Sequence, residues 1–334
     1  MRQLVFHGPR KVSVEEAELP SPGPGEVRVG VRSVGVCGSD VHGYAGVNRR
    51  RTPGTVMGHE VAGVVEELGT GVDRLLPGDQ VVINPIVSCG ECEYCRAGLE
   101  NVCPKRRIYG CIAELPGAYA DSFVVRATNC VFFHGPVPLE WGALVEPLAV
   151  GTRAAKQGEV GERHEVLVVG GGPIGIGAAL ASRRRGAQRV VVSEPLAHRR
   201  ELAAGLGFEA IDPGSEKVPR GAFSVAIECV GHSVTLASAL DAVRVRGTVV
   251  FVGLAEETIE LPATPLMVGE RIIVGSAAYS NEDFRDTVEW VASGGTDLAP
   301  IIESRVDLDG LPAAFEGYAD GSIDALKTLL QFQN

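Results

Sequence analysis

Six short apolar runs, separated by helix-length segments, fill residues 165–275 and constrain the fold more than any other feature of the sequence. Continuous apolar runs of this kind are typical of parallel strands that are covered on both faces. Six of them joined by helices predict an α/β fold, the Rossmann doubly wound parallel sheet. The predicted strands are 165–169, 189–193, 209–211, 225–229, 248–252 and 272–275.

A glycine-rich turn, Gly170-x-Gly172-x-x-Gly175, follows the first of these strands directly, and we predict a helix from Pro173. Glycine at these positions permits a tight turn, close approach of a pyrophosphate and close packing of helix on strand. The helix N-terminus then offers N–H groups and a positive dipole to the phosphates. The turn therefore predicts a dinucleotide site.

The end of the second strand selects between the two nicotinamide cofactors. Glu194 lies 24 residues after Gly170, where an acidic residue binds the ribose hydroxyls of NAD. Its charge would repel a 2′-phosphate, so we expect NAD(H). NADP(H) is the alternative, because Arg199 lies just beyond Glu194. The residues predicted from this region to bind the cofactor are Gly170, Gly172, Pro173, Ile174, Gly175, Glu194, Arg199, Val230 and Val252.

The first part of the chain has a different pattern. Short segments in which apolar and polar residues alternate lie between turns rich in proline and glycine. Such alternation is typical of half-buried antiparallel strands. It predicts a partly open antiparallel β-barrel. We expect a catalytic domain at 1–145, the dinucleotide domain at 146–278, and a C-terminal segment at 279–334 that returns to the first domain.

Four cysteines lie close together within the first domain, as Cys89-x2-Cys92-x2-Cys95-x7-Cys103. Four thiolates around one tetrahedral zinc ion make a closed site with no position left for a substrate. The lobe 89–103 therefore predicts a structural zinc. A four-cysteine iron–sulfur centre is the main alternative, and disulfides are less expected in this context.

A second metal site is indicated by Cys37 and His59. A catalytic zinc needs about three protein ligands and one open position. Glu146, just before the dinucleotide domain, is the candidate for the third ligand. Two zinc ions per chain are therefore expected, one structural and one catalytic.

The motifs CGSDVH, GHE and EPLAVG, with the cysteine lobe and the glycine-rich turn, follow one another in a familiar order and spacing. In these features the chain resembles the zinc-containing medium-chain alcohol dehydrogenases over nearly its whole length. It is most similar to the branch of polyol (sorbitol-type), butanediol and threonine dehydrogenases, where a glutamate replaces the second zinc cysteine. The resemblance implies a GroES-like first domain and a Rossmann second domain.

A carboxylate ligand is harder than a thiolate and is held more loosely on zinc. Glu60 lies beside His59 and would compete for the metal, so that Glu60, Glu146 or a water completes the coordination sphere. The alternative for Glu60 is a carboxylate that does not ligate the metal. We expect Asp40 to accept the second ring N–H of His59.

The resemblance also implies a path for the proton of the alcohol. Ser39 would take the proton and pass it through the cofactor ribose to His42 and then to solvent. Lys327 matches a basic residue that approaches the cofactor pyrophosphate in relatives. For His42 and Lys327 the alternative is an ordinary solvated side chain.

The expected reaction is reversible oxidation of a secondary alcohol of a polyol, sugar, cyclitol or vicinal diol. Relatives carry Arg-Tyr where this chain has Ala278-Tyr279, so sorbitol itself is not indicated. Tyr44 and Tyr119 are candidate pocket walls or packing residues, and the arginine run 49–51 is a loop near the pocket or a solvated loop. The alternatives in function are an NAD(P)H-dependent carbonyl reductase and a non-catalytic relative on the same fold.

The net charge of −11 argues against nucleic acid or an anionic membrane as a partner. The N-terminus carries no apolar run of signal-peptide length. We therefore expect a cytoplasmic enzyme with a small-molecule alcohol or ketone substrate. The resemblance implies a homotetramer or homodimer.

Overall fold

The computed structural model describes residues 1–47 and 51–332. The chain divides into two compact units, one formed by Met1–Glu146 with Phe284–Asn334 and the other by Pro147–Asp283. The domain limits expected from sequence, after residues 145 and 278, lie one and five residues from this division.

The first part of the chain folds into the strands and helices β1 (Arg2–Gly8), β2 (Lys11–Glu16), β3 (Glu26–Gly35), α1 (Gly38–Tyr44), β4 (Thr55–Val56), β5 (Glu60–Leu68), β6 (Gln80–Ile83), β7 (Ile86–Val87), α2 (Glu93–Arg96), β8 (Arg107–Ile108), β9 (Ser122–Arg126) and β10 (Cys130–Phe132). The second part continues with α3 (Val145–Gln157), β11 (Glu165–Val169), α4 (Pro173–Arg184), β12 (Arg189–Ser193), α5 (Ala197–Gly205), β13 (Glu209–Ile211), β14 (Phe223–Glu228), α6 (Ser233–Ala242), β15 (Val243–Phe251), α7 (Ala263–Val268) and β16 (Ile272–Gly275). The C-terminal elements are α8 (Asn281–Ala292), β17 (Ile302–Val306), α9 (Leu311–Asp320) and β18 (Lys327–Gln331).

The largest sheet of the first unit is built around β3. Strand β3 pairs with β5 along one edge and with β9 and then β18 along the other, giving the order β10-β6-β5-β3-β18-β17. All neighbours are antiparallel except β17 and β18. The predicted antiparallel strands are present, but the described residues form open sheets and no closed barrel. Because β18 pairs with β3, the end of the chain joins the sheet that the beginning builds.

The alternation read from sequence corresponds to one buried face of β3. Val27, Val29 and Val31 have no exposed surface, whereas Arg28 between them is partly exposed. Burying an aliphatic side chain of this kind stabilises the fold by roughly 1.5–3 kcal/mol. This packing fixes β3 and therefore the position of Cys37, two residues beyond its end.

The second unit is a parallel sheet in the order β13-β12-β11-β14-β15-β16. Four of the six predicted strands have the predicted bounds; the other two, predicted at 225–229 and 248–252, begin earlier and end one residue sooner, as Phe223–Glu228 and Val243–Phe251. Strand β11 lies in the middle of this sheet, with β12 on one side of it and β14 on the other. The order of the strands therefore reverses its direction at β11. Dinucleotides bind beyond the carboxyl ends of strands at such a reversal of order.

Among the described residues, no helix is long and apolar enough to cross a membrane.

Candidate active site

The four cysteines of the lobe 89–103 converge on one point. The Sγ–Sγ distances are 3.9 Å for Cys89–Cys95, 3.5 Å for Cys92–Cys95 and 3.5 Å for Cys89–Cys103. Thiolates bound tetrahedrally at about 2.3 Å from one zinc ion lie about 3.8 Å apart. The spacing therefore fits a single ion, and it leaves no room for the several metal and sulfide ions of an iron–sulfur cluster.

Local backbone geometry favours a thiolate at Cys89. The backbone N–H groups of Glu91 and Cys92 lower the pKa of Cys89 to about 6. Cys92 caps α2, and its Sγ accepts a hydrogen bond from the N–H of Cys95 at 3.5 Å. A short helix and a tight turn thus present the sulfur atoms to one point.

A second group of metal-ligating side chains lies at the end of β3 and the start of β5. Ligand atoms of Cys37, His59 and Glu60 lie within 4.8 Å of one another. Cys37 caps α1, where its Sγ accepts from the N–H and the hydroxyl of Ser39 at 3.4 and 3.3 Å. His59 and Glu60 are buried. The structure thus brings together the two ligands predicted first and the carboxylate predicted to compete.

Asp40 lies beside His59, but the predicted hydrogen bond stays a prediction, because Nδ1 of His59 has no hydrogen-bond partner within the described residues. Oδ2 of Asp40 lies 3.3 Å from Nδ1 of His59 and accepts a hydrogen bond from the Tyr119 hydroxyl at 3.0 Å. Burial would raise the pKa of Asp40, but the charges of His59 and Arg51 outweigh it and hold that pKa well below its usual range. Burial would lower the pKa of His59, but Asp40 and Cys37 raise it well above the usual value. Asp40 is therefore a fixed negative charge beside this ring.

The expectation of a solvated loop at 49–51 is wrong for Arg51. Its side chain is only 2% exposed and pairs with Asp40, which is fully buried. Arginine enters the interior here because its charge is met by a carboxylate. Arg49 and Arg50 lie outside the described residues.

The two tyrosines considered as pocket walls are packing residues. Tyr119 has no exposed surface, and its ring packs edge-on against Phe315. Tyr44 is 5% exposed, stacks on Phe315 and donates its hydroxyl to Glu316 at 2.7 Å. Only the hydroxyl of Tyr119 reaches the metal-binding region, through Asp40.

Glu60 is held by a buried lysine. Nζ of Lys327 lies 2.9 and 2.8 Å from the two carboxylate oxygens and 3.2 Å from the carbonyl of Val36. A Cβ at Gly35, which faces Glu60 across the β3–β5 pair, would lie 1.8 Å from Oε2. Burial works against the ammonium ion, but Glu60 outweighs it and raises the pKa of Lys327. In this arrangement Lys327 pairs with Glu60, and its contact with the pyrophosphate stays a prediction.

Glu146 lies outside the group of three ligands, near the start of α3, and is partly exposed. Its charge acts on Lys327. Cys37, His59 and Glu60 offer sulfur, nitrogen and oxygen donors of the kinds that zinc binds, so the donor set fits zinc. Glu146 as a ligand stays a proposal.

The two residues expected to move the proton share α1. Ser39 is half-buried and touches Cys37, whereas His42 is exposed in the last turn of the helix. Residues three apart on a helix lie on the same face. The helix therefore leads from the metal ligand to the surface.

The glycine-rich turn of the second unit has the shape that its sequence predicts. Gly170 adopts φ +97°, which glycine tolerates far better than other residues. A Cβ at Gly175 would lie 1.8 Å from the carbonyl oxygen of Gly170, so α4 packs directly on the turn. A Cβ at Gly172 would meet no closer atom than a side-chain nitrogen of Arg199, at 3.7 Å. The turn leaves open space at Gly172, and α4 starts beside it at Pro173 and Ile174.

Glu194 is fixed beside this turn. Its Oε2 accepts from the N–H of Gly171 at 2.6 Å, and its Oε1 accepts from the N–H of Leu196 at 2.9 Å. Val230 lies close to the same turn: a Cβ at Gly170 would be 2.8 Å from its Cγ2. Val252 follows β15 and donates its N–H to the carbonyl oxygen of Glu228 at 2.9 Å. The structure thus places Glu194 and Val230 at the glycine-rich turn, and Val252 at the carboxyl end of β15.

Comparisons with known proteins agree with this arrangement. Residues 23–135 match the alcohol dehydrogenase GroES-like domain, and residues 173–293 match the zinc-binding dehydrogenase domain. An L-idonate 5-dehydrogenase of Vitis vinifera is 35% identical over 96% of this chain and 92% of its own length. A sorbitol dehydrogenase of Arabidopsis thaliana is 35% identical over 96% of this chain and 93% of its own length.

Two solved structures are similar over both units. A zinc-binding dehydrogenase from Sinorhizobium meliloti 1021 bound to NADP has a TM-score of 0.93 at 27% identity, covering 99% of each chain. An alcohol dehydrogenase from Escherichia coli CFT073 complexed with NADH has a TM-score of 0.90 at 28% identity, again covering 99% of each chain. Both pyridine dinucleotides therefore occur on this fold.

The chain belongs to the zinc-binding, medium-chain alcohol dehydrogenase family and is an oxidoreductase acting on CH–OH donors. Within the family it lies in the branch that holds the sorbitol and L-idonate dehydrogenases.

Sequence reasoning missed Arg51, the hydroxyl of Tyr119 and the space provided by Gly35. An arginine run usually lies on the surface, and nothing local distinguishes Arg51 from its two neighbours. Gly35 had a usable signal, since glycine inside a strand often marks close approach of another group.

Proposed function

We propose that this chain is a zinc-dependent, NAD-linked dehydrogenase that reversibly oxidises a secondary alcohol of a polyol, sugar, sugar acid, cyclitol or vicinal diol. The observation that carries the proposal is the group formed by half-buried Cys37 with the buried His59 and Glu60, beside Ser39. The relatives named sorbitol and L-idonate dehydrogenase support the substrate class.

The cofactors supply the chemistry that amino acids lack. Zinc acts as a Lewis acid that lowers the pKa of a hydroxyl, and NAD⁺ accepts a hydride. We propose Cys37, His59 and either Glu60 or Glu146 as the ligands of the catalytic ion, and the four-cysteine lobe as the site of a second, structural ion.

The residues of the chain would handle the proton and the orientation. Ser39 receives the proton of the alcohol hydroxyl, and His42 delivers it to solvent from the exposed end of α1. Asp40 keeps His59 in one orientation. Lys327 would hold the carboxylate of Glu60 in place, and Glu60 or Glu146 would complete the ligand set.

We also propose a cytoplasmic homodimer or homotetramer. Strand β16 is the edge of the six-stranded sheet, and its apolar residue Ile272 is 55% exposed. An edge strand with an exposed apolar side chain could pair with its copy across a two-fold axis.

Substrate class is tested by NAD⁺ reduction across a panel that contains sorbitol, L-idonate, 2,3-butanediol, an inositol, threonine and ethanol. We expect kcat/KM for the best secondary alcohol to exceed that for ethanol by at least about tenfold, which corresponds to about 1.4 kcal/mol. Activity confined to primary alcohols, or confined to ketone reduction with NADPH, would contradict the proposal. The panel is broad because Ala278 offers only a methyl group where some relatives carry arginine.

Cofactor choice is tested by Glu194→Ala. Loss of a fixed charge that repels a 2′-phosphate should raise the ratio of kcat/KM for NADP⁺ to that for NAD⁺ by about 10–100-fold, since hydrogen bonds to charged groups contribute about 1.5–3 kcal/mol. Glu201→Ala, which removes an exposed carboxylate from α5, should leave the ratio unchanged. A wild-type enzyme that already prefers NADP⁺ would refute the role of Glu194.

A further inference from the structure

A single nitrogen of Arg51 joins two parts of the proposed site. Nη2 lies 2.5 Å from Oδ1 of Asp40 and 3.3 Å from Oγ of Ser39. The other carboxylate oxygen of Asp40 faces Nδ1 of His59 at 3.3 Å. The guanidinium therefore touches both the carboxylate beside a proposed metal ligand and the hydroxyl proposed to receive the proton.

The surrounding packing makes room for this arginine. A Cβ at Gly43, on the same helix as Ser39 and Asp40, would lie 2.4 Å from Cγ of Arg51. Glycine inside a helix costs roughly 0.5–1 kcal/mol relative to alanine. The helix thus carries a destabilising residue at the position where the arginine side chain passes.

Stability alone does not account for Arg51. A buried ion pair is often no more stabilising than a well-packed apolar pair of the same volume. In addition, Nε of Arg51 is buried and has no hydrogen-bond partner among residues 1–47 and 51–332. A buried donor without a partner costs about 1–3 kcal/mol, so the arrangement is better explained by its effect on its neighbours.

We propose that Arg51 is a positioning residue for both the catalytic metal and the proton acceptor. It holds Asp40 against His59, which fixes the imidazole for the metal. It also donates to Oγ of Ser39, which fixes this hydroxyl beside Cys37 and leaves the second lone pair of Oγ free to accept the proton of the alcohol. This inference rests on the proposed function, because it assumes that zinc and Ser39 act on an alcohol.

Lysine is a poor substitute at such a position. Arginine presents several N–H donors in a rigid planar fork, whereas lysine offers one flexible ammonium group. Lysine at position 51 could still neutralise Asp40 but would hold Ser39 less firmly. Substitution of Arg51 by lysine can therefore separate the contact with Asp40 from the contact with Ser39.

The test uses the zinc-loaded enzyme and two substitutions, Arg51→Gln and Arg51→Lys. Chelator competition measures the affinity for each zinc ion, and steady-state kinetics with the best alcohol of the panel give kcat and KM. We expect Arg51→Gln to weaken the catalytic zinc by about 10–100-fold, the usual effect of removing a group that supports a metal ligand. The zinc of the four-cysteine lobe should keep its affinity. We also expect Arg51→Gln to lower kcat, because Ser39 loses the contact with the guanidinium. Arg51→Lys should recover most of the zinc affinity but not the kcat.

The contact with Ser39 is tested by combining Arg51→Gln with Ser39→Ala. If Arg51 acts through Ser39, the loss of kcat in the double variant, measured at saturating zinc, is smaller than the product of the two single losses. A loss equal to that product would overturn the role of Arg51 at Ser39. Unchanged zinc affinity in Arg51→Gln would overturn its role at His59.

Two further variants separate positioning from general damage. Arg28→Gln removes a side chain that is 14% exposed and paired with Glu66 and Glu67 in the same unit, and it should change neither zinc affinity nor kcat. Gly43→Ala keeps Arg51 but displaces its stem, so it should weaken the catalytic zinc in the same direction. If Arg51→Gln fails to fold, Gly43→Ala gives the result, and unchanged zinc affinity there overturns the proposal.

Failure of this inference differs from failure of the proposed function. A wild-type enzyme without a second zinc, or without alcohol oxidation, would reject the proposed function. A wild type with both, and an Arg51→Gln variant that matches it in zinc affinity and kcat, would reject only the role of Arg51.

Discussion

Replacing Cys37 with alanine is expected to abolish alcohol oxidation while leaving NAD⁺ binding intact. Cys37 supplies the only thiolate in the group with His59 and Glu60. Without the ion, the pKa of the hydroxyl returns from near 7 towards about 16. We therefore expect kcat to fall by at least about 10⁴-fold. NADH fluorescence titration should show cofactor affinity within about twofold of wild type, because Gly170 and Glu194 belong to the other unit.

Cys130→Ala is the matched control for this substitution. Cys130 is a buried cysteine of β10 in the same unit and belongs to neither metal group. Burial raises the pKa of its thiol to about 12, so it acts as a small apolar side chain. The control should keep its activity. Turnover near the wild-type rate in Cys37→Ala would reject the catalytic site.

Replacing Cys95 with serine is expected to lower thermal stability without a direct effect on the reacting groups. A hydroxyl is a much weaker zinc ligand than a thiolate, and structural zinc contributes folding free energy. The unit that contains the lobe has 197 residues, a size at which Tm changes by about 2–4 °C per kcal/mol. A loss of about 4 kcal/mol or more would therefore lower Tm on the order of 10 °C. Differential scanning calorimetry measures this shift.

Glu91→Ala tests whether the effect comes from the ion. Glu91 lies in the same lobe, is exposed and pairs only with the exposed Lys105 at 2.9 Å in the described structure. Exposed pairs of this kind contribute about 0–1 kcal/mol, so Tm should hardly change. An unchanged Tm and zinc content in Cys95→Ser would show that the lobe does not hold a structural ion.

The parallel sheet and the metal-ligand motifs were predictable from sequence because each depends on short-range pattern. Strands β11, β12, β13 and β16 have their predicted bounds, since an apolar run between breakers fixes both ends of a buried strand. The cysteine lobe needs only fifteen residues to close around one point. Neither feature depends on contacts between distant parts of the chain.

The supporting contacts were not predictable because they join segments that are far apart in sequence. Lys327 reaches Glu60 across 267 residues, and Tyr119 reaches Asp40 across 79. Only the pairing of β18 with β3 brings Lys327 to the metal-binding region. Arg51 is closer to Asp40, but its burial depends on the space left by Gly43. Short sequence motifs therefore reveal the metal ligands, but they do not reveal the side chains that hold these ligands in place.

Inductively coupled plasma mass spectrometry measures the zinc content per chain of the wild-type enzyme and of Cys37→Ala. We expect about two zinc ions per chain in the wild type, one held by four cysteines and one by Cys37, His59 and a carboxylate. In Cys37→Ala we expect about one. A wild type with a single zinc ion that survives the substitution unchanged would show that Cys37 and His59 hold no catalytic ion.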